Sequence, residues 1–199
     1  MIQVPAPVAC SVQEYFDLEN ASDKRYEYVR GCVRRMPETS LAHNLLLGNL
    51  GIALRPGLRQ RGCRLYSQSI RLVVRENGCY TYPDVLATCD PTDRLDQYQV
   101  RHPVLVAEVL SPGTVEYDSV EKFSQYRYMP SLRHYLLVSQ ATWTVEWLRR
   151  DELGQWIYTL LNEPADVLEI PDLGLRLSLT ELYEDTDVAP LRLTPPVNP

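Results

Sequence analysis

The chain has 199 residues, 45% apolar and 23% charged, with a net charge of −6. A chain of this size buries roughly 70% of its unfolded surface, enough for one core, which excludes wholesale disorder, collagen and coiled coil. No uncharged apolar run approaches the ~18 residues of a membrane span, and no basic segment precedes an apolar one at the N-terminus, so a cytoplasmic protein is expected.

The capping box Ser11-Val-Gln-Glu14 opens a short helix to about Glu19. Arg25–Val29 and Cys32–Met36 flank Arg30-Gly31 and read as a β-hairpin. Ser40 is a fair N-cap for a helix to about Leu54, with Leu41, Leu45, Leu46, Leu50, Ile52, Ala53 and Leu54 as its buried face and Pro56-Gly57 as its stop. Strands follow at Arg64–Ser67 and Ile70–Val74, then an Asn77-Gly78 turn, then a strand over Tyr80–Ala87. Asp90–Arg101 is polar and reads as a loop. Val104–Leu110 is a nearly continuous apolar run, the mark of a strand buried on both faces. A helix is expected over Ser119–Met129, a strand at His134–Ser139 and a hairpin of Thr144–Arg150 with Trp156–Leu161, where Trp143, Trp147 and Trp156 read as core. Val167–Ile170 adds an edge strand and Thr180–Glu184 a last helical turn. The expected fold is α/β mixed: a central mixed β-sheet flanked by helices, in the order α-β-β-β-α-β from Ser40, with added N-terminal and C-terminal hairpins. One domain is expected over residues 1–187, with a Pro-rich tail over 188–199.

The five cysteines are odd in number and show no C-x₂₋₄-C spacing, so reduced thiols are expected rather than zinc or disulfides. Charge is unevenly placed. Between Thr39 and Arg75 there is no acidic residue, while Arg55, Arg59, Arg61, Arg64, Arg71 and Arg75 fall there. This segment reads either as a phosphate-binding surface or as a solvated face balanced by acids elsewhere. The chain has only two lysines, Lys24 and Lys122, against eighteen arginines, so a retained lysine invites a specific role.

Glu108 interrupts the apolar strand. A carboxylate there costs several kcal/mol unless it is paired or binds a cation, which leaves a salt bridge and a metal site as alternatives. Asp84 follows Pro83, which cannot donate to a sheet ladder and so marks a strand end, where an acid serves either as a turn cap or as a ligand. Two acids on neighbouring strands suit Mg²⁺, which takes oxygen ligands and keeps several waters. Lys122 shares a helical face with Asp118, Gln125, Tyr126 and Met129, and reads either as a partner of Asp118 or as a cation brought back over the same strand end. His43, Gln68 and Tyr126 are weaker candidates for accessory roles; His102 and His134 belong to no constellation.

The set Tyr82-Pro83-Asp84-Val85, Ala107-Glu108-Val109-Leu110-Ser111-Pro112 and Asp118…Lys122…Tyr126, with Arg25-Tyr26-Glu27-Tyr28-Val29-Arg30-Gly31 and the helix start at His43, resembles the Uma2 family of the PD-(D/E)XK nuclease superfamily. The resemblance covers about Ser11 to Leu182. It implies a restriction endonuclease-like core with Mg²⁺, or Mn²⁺, held by Asp84 and Glu108 with the Val109 carbonyl. The superfamily lysine usually stands two residues after the strand acid. That position is Leu110 here, and the Uma2 pattern moves the lysine to Lys122, with Glu27 as an extra acid. The implied function is a Mg²⁺-dependent endonuclease acting on DNA, with Arg55, Arg59, Arg61 and Arg64 gripping phosphates and a homodimer as the expected assembly. The alternative is a catalytically weak binding or regulatory module on the same fold. No serine or cysteine has an evident base partner, so nothing points to a nucleophile-based hydrolase.

Overall fold

The computed structural model describes residues 8–191, so the end of the Pro-rich tail, 192–199, lies outside the described residues. In chain order the elements are β1 (Val8–Ala9), α1 (Val12–Ala21), β2 (Tyr26–Val29), β3 (Cys32–Arg35), α2 (Leu41–Gln60), β4 (Arg64–Ser67), β5 (Arg71–Arg75), β6 (Cys79–Thr81) and β7 (Val85–Thr88). Then come β8 (Gln99–Val100), β9 (Pro103–Leu110), α3 (Phe123–Tyr126), β10 (His134–Ser139), β11 (Val145–Arg150), β12 (Trp156–Leu161), β13 (Val167–Ile170), β14 (Leu175–Ser178) and α4 (Leu179–Leu182). The fold is mixed α/β, as expected. None of the described helices is long and apolar enough to cross a membrane.

One central sheet was expected; the strands divide between two six-stranded sheets. The first runs β1-β3-β2-β6-β5-β8, the second β12-β11-β10-β9-β7-β4, and β13 pairs β14 separately. Two expected units are split by this division. The strand read over Tyr80–Ala87 breaks at Tyr82-Pro83-Asp84 into β6 of the first sheet and β7 of the second. Pro83 has no N–H for either ladder, so the break falls where pairing is weakest. Neighbouring β4 and β5 likewise part company at Gln68 and Ser69, both of which take positive φ (48° and 58°). These two crossings between sheets lie at adjacent points, and the Gln68 N–H donates to the Asp84 carbonyl at 3.0 Å.

Period-two alternation sorts β9 cleanly. Leu105, Ala107 and Val109 join the core under α2, while Val106 and Leu110 join a second core with Leu86, Tyr126, Met129 and Tyr135. Glu108 shares the parity of Val106 and Leu110, and Asp84 that of Leu86, so both acids face this second side. Leu110, two residues after Glu108, packs in that core.

Helix α2 departs from expectation. It runs through Pro56 to Gln60, and its buried stripe is His43, Leu46, Leu47, Leu50, Leu54, Gly57 and Leu58. Leu41, Leu45 and Ile52, read as buried, are exposed. Gly57 is not a helix stop but a point of close approach: a Cβ there would lie 2.2 Å from the Gly174 carbonyl oxygen. Burial of Leu58 beyond Pro56 outweighs the lost hydrogen bond, and the helix continues. A second correction concerns cysteine. Cys63 and Cys89 form a disulfide, because the Arg64–Thr88 pairing of β4 with β7 sets them side by side. Spacing along the chain could not reveal a pair made by strand register. At the C-terminal end, the Trp143 indole N–H donates to the Val188 carbonyl at 2.6 Å, so the start of the expected tail packs on the second sheet.

Gly57 and Gly48 test the packing. Gly48 lies in the same helix with open space around a Cβ. Gly48→Ala should raise stability by about 0.5–1 kcal/mol, whereas Gly57→Ala should lower it by about 1–3 kcal/mol. Chemical denaturation of the two variants beside the wild type measures both.

Candidate active site

Asp84 and Glu108 stand opposite each other, since Val85 pairs with Ala107 in the antiparallel β7–β9 ladder. Their side chains are laced to each other's backbone. The Asp84 N–H donates to Glu108 Oε2 at 3.3 Å, and the Val109 N–H donates to Asp84 Oδ2 at 2.8 Å. Both acids line a cavity of about 490 Å³, together with Glu27, Arg34, His43, Tyr117, Asp118 and Lys122. His43, at the first turn of α2, sets its Nε2 3.1 Å from Asp84 Oδ1. It gets there because it is the first residue of the buried stripe of α2 and because Ser40 caps the helix by accepting from the His43 N–H.

The loop after β9 leads to a π-helical turn, Tyr117–Lys122, that runs into α3; the expected α-helix starts earlier and begins differently. The extra residue in that turn has a consequence. In a regular α-helix, positions five apart diverge by about 140°. In the π turn they stack, so Tyr117 and Lys122 face the same space, with Lys122 Nζ 5.3 Å from the Tyr117 ring centre. Lys122 Nζ then meets three carboxylates: Asp118 Oδ1 at 2.9 Å, Glu108 Oε1 at 3.1 Å and Glu27 Oε1 at 3.1 Å. One helical turn later, the Tyr126 hydroxyl lies 3.3 Å from Glu108 Oε1 and 2.9 Å from Thr81 Oγ1. Glu27 reaches inward from β2, where it also accepts the Tyr82 N–H at 2.9 Å.

Burial dominates the electrostatics. It pushes Glu108 well above the ordinary carboxylate range; Lys122 pulls it back, while Asp118, Asp84 and Glu27 drive it further up. Asp118 is raised for the same first reason, with Lys122 again opposing. Burial alone would lower Lys122, but Asp118, Glu108 and Glu27 outweigh it and hold the ammonium well above its usual value. The surrounding carboxylates thus favour the charged ammonium over the free amine. Among the described residues, no cluster of three or more His, Cys, Asp or Glu side chains forms a metal cage by itself.

The structure thus brings together Asp84, Glu108, Val109, Lys122, Glu27, His43 and Tyr126. It leaves others apart. Gln68 supports Asp84 through its backbone and does not line the cavity. Arg55 lies about 18 Å of helix beyond His43, at 1.5 Å per residue, and Arg59, Arg61 and Arg64 lie further on. All four are exposed, and Arg61 donates to the Pro171 carbonyl instead. Asp118, Arg34 and Tyr117 belong to the cavity although none was singled out as a site residue. For Asp118 the i,i+4 spacing to Lys122 was visible. For Arg34 the signal was the hairpin register: a two-residue turn at Arg30-Gly31 sets Arg34 opposite Glu27. The π turn that admits Tyr117 leaves no mark in the sequence.

This arrangement has relatives. The family model of Uma2, described as "Putative restriction endonuclease", matches residues 12–180. The chain belongs to the Uma2 family. Two relatives from Synechocystis sp. are each described as an uncharacterized protein. One is 32% identical over 174 residues, covering 87% of this chain and 90% of its own. The other is 31% identical over 170 residues, covering 84% and 96%. A crystal structure from Anabaena variabilis, of a "putative nuclease belonging to DUF820", shares the fold with a TM-score of 0.68 at 17% identity, covering 81% of this chain and 91% of that one.

Removing the central ammonium of this Uma2 chain should expose the repulsion it masks. Lys122→Ala should cost about 3–5 kcal/mol at pH 7, the range for breaking one partner out of a buried ion pair. Without the lysine, the folded-state pKa values of Glu108 and Asp118 rise further above their unfolded values. A carboxyl with a raised folded pKa binds more protons folded than unfolded, so the variant gains stability as pH falls from neutrality toward the ordinary carboxylate range. Denaturation of both proteins between pH 5 and 8 should show the deficit narrowing at the acid end.

Proposed function

We propose that this Uma2 protein is a Mg²⁺-dependent endonuclease, with Mn²⁺ as a substitute, that hydrolyses phosphodiester bonds in DNA. The observation that carries the reading is the convergence of Asp84, Glu108 and Lys122 on one cavity from three separate elements. The donor set fits the ion. Mg²⁺ binds through one or two carboxylates and keeps several waters. A carboxylate has about four lone-pair sites. Asp84 gives one to His43 and one to the Val109 N–H, and Glu108 gives three, to Lys122, Tyr126 and the Asp84 N–H. Free lone pairs remain on both, beside the Val109 backbone.

A bound Mg²⁺ would supply a more acidic water and stabilise charge on the phosphoryl oxygens. Hydrolysis adds one water: its oxygen bonds to phosphorus, the bond to the leaving sugar oxygen breaks, and that oxygen keeps the electron pair and takes up a proton. Asp84 and Glu108 hold the cation side of the site, with His43 and Tyr126 fixing their orientation. Lys122, whose three N–H donors go to Asp118, Glu108 and Glu27, offsets developing negative charge in a buried site where such interactions are strong. Glu27 holds Lys122 from the opposite side and can accept from a water in the cavity.

Asp84→Asn and Glu108→Gln should each lower Mg²⁺-dependent cleavage of plasmid DNA by about 10³-fold, the equivalent of the several kcal/mol a metal contributes. Thermal melts with and without Mg²⁺ and Mn²⁺ accompany the assay. The wild type should be stabilised by the ion and the variants much less. Wild-type protein that cuts nothing and melts unchanged in both ions would replace this reading with the binding-module alternative.

A further inference from the structure

Arg34 projects from β3 directly across the hairpin from Glu27, on the side of the first sheet that faces the site, and it lines the same cavity as Asp84 and Glu108. Its guanidinium carbon lies over the Tyr117 ring, 4.3 Å from the ring centre. Its closest ion pair is with Glu121, at 3.8 Å, too long for a good hydrogen bond and made to a carboxylate that is itself 42% exposed. Glu27, opposite in register, is committed to Lys122 and to the Tyr82 N–H. Arg34 is thus a cation, with 17% of its side chain exposed, whose buried Nε has no hydrogen-bond partner. The Tyr117 hydroxyl, also buried, lies beside the Glu27 carboxylate but makes no hydrogen bond of good geometry.

An orphaned arginine donor on the cavity wall, next to a weakly held tyrosine hydroxyl, leaves room for an acceptor. An arginine is charged at every working pH, and leaving its donors buried and unpaired is costly. The cavity already holds five carboxylates, Glu27, Glu38, Asp84, Glu108 and Asp118, so an anion can settle there only where positive charge projects. The guanidinium fork matches two oxygens of a phosphoryl group, and the aromatic ring beneath holds it in one plane before any ligand arrives.

We infer that Arg34 is a further catalytic residue, whose guanidinium donates hydrogen bonds to a non-bridging oxygen of the scissile phosphodiester, with the Tyr117 hydroxyl as a second donor to the same group. The inference rests on the nuclease reading above. Arg34 makes and breaks no covalent bond; it holds the oxygen on which negative charge builds as water attacks phosphorus.

The test is steady-state cleavage of a duplex oligonucleotide with Mg²⁺, with a thermal melt of each variant. Arg34→Ala should lower kcat by about 10²-fold or more, as for loss of one donor to a developing oxyanion, with KM nearly unchanged. Arg34→Lys should recover only part of it, because an ammonium cannot replace the fork; this variant decides the matter if Arg34→Ala does not fold. Tyr117→Phe should lose less than Arg34→Ala. A phosphorothioate at the scissile position adds a readout that simple packing would not move: the wild type should discriminate between the two sulfur diastereomers, and Arg34→Ala should lose that preference. If both Arg34 variants keep the wild-type kcat while Asp84→Asn is dead, the nuclease stands and the Arg34 assignment falls. A rise in KM alone also overturns it, by placing Arg34 on a remote phosphate. A wild type that cuts nothing removes both readings.

Discussion

The contact on which the rest depends is the Lys122 ammonium among Glu27, Glu108 and Asp118. Those three acids come from β2 in the first sheet, β9 in the second and the π turn between β9 and α3. A single buried cation therefore ties both sheets and a helical segment to one point. Each of the carboxylates would be expensive in that place alone, and the lysine would be equally so. Together they are a mutually satisfied network whose geometry allows little slack, because a shift of any one element strands a buried charge. Networks of this kind need not add stability over an apolar core. What they supply is a defined arrangement, and here the arrangement is the site.

The position of the site follows from a defect in the sheets. The strand carrying Asp84 leaves the first sheet and enters the second at Tyr82-Pro83-Asp84, and the chain makes a parallel crossing at Gln68-Ser69. At such a seam the ladder is interrupted, and backbone N–H groups become available to side chains. Three of them, from Tyr82, Asp84 and Val109, are used to hold Glu27, Glu108 and Asp84 in place. The carboxylates are thus positioned by backbone rather than by flexible side chains, which is what a site needing sub-ångström placement requires.

In this Uma2 chain the lysine stands on the helix rather than on the strand. With Leu110 in the apolar core beside Tyr126 and Met129, a charge at that position would face hydrophobic side chains. The π turn offers another route to the same carboxylate. It adds one residue to a helical turn, and that residue lets Asp118, Lys122 and Tyr117 project into one cavity. The strand keeps an apolar core and the helical segment supplies the cation.

Much of this was legible in the chain itself. The β2–β3 hairpin, the capping box at Ser11, the buried strand β9 and the C-terminal hairpin are all local, set by turn chemistry, capping and apolar periodicity within a few residues of each other. Asp84, Glu108 and Lys122 stood out for the same reason: each breaks a local pattern, a charge in an apolar strand, an acid after a proline, a lysine in a chain that otherwise uses arginine. What the tertiary structure alone decided are relations between distant segments. The Cys63–Cys89 bond depends on the register of β4 with β7; the separation of Arg55 to Arg64 from the site depends on a helix that runs on past Pro56; the division into two sheets depends on which partners β6 and β7 find. Arg34 and Tyr117 enter the site only through a hairpin register and a π turn. Periodicity reports which face of an element is buried, but only the packed structure determines what lies across from it.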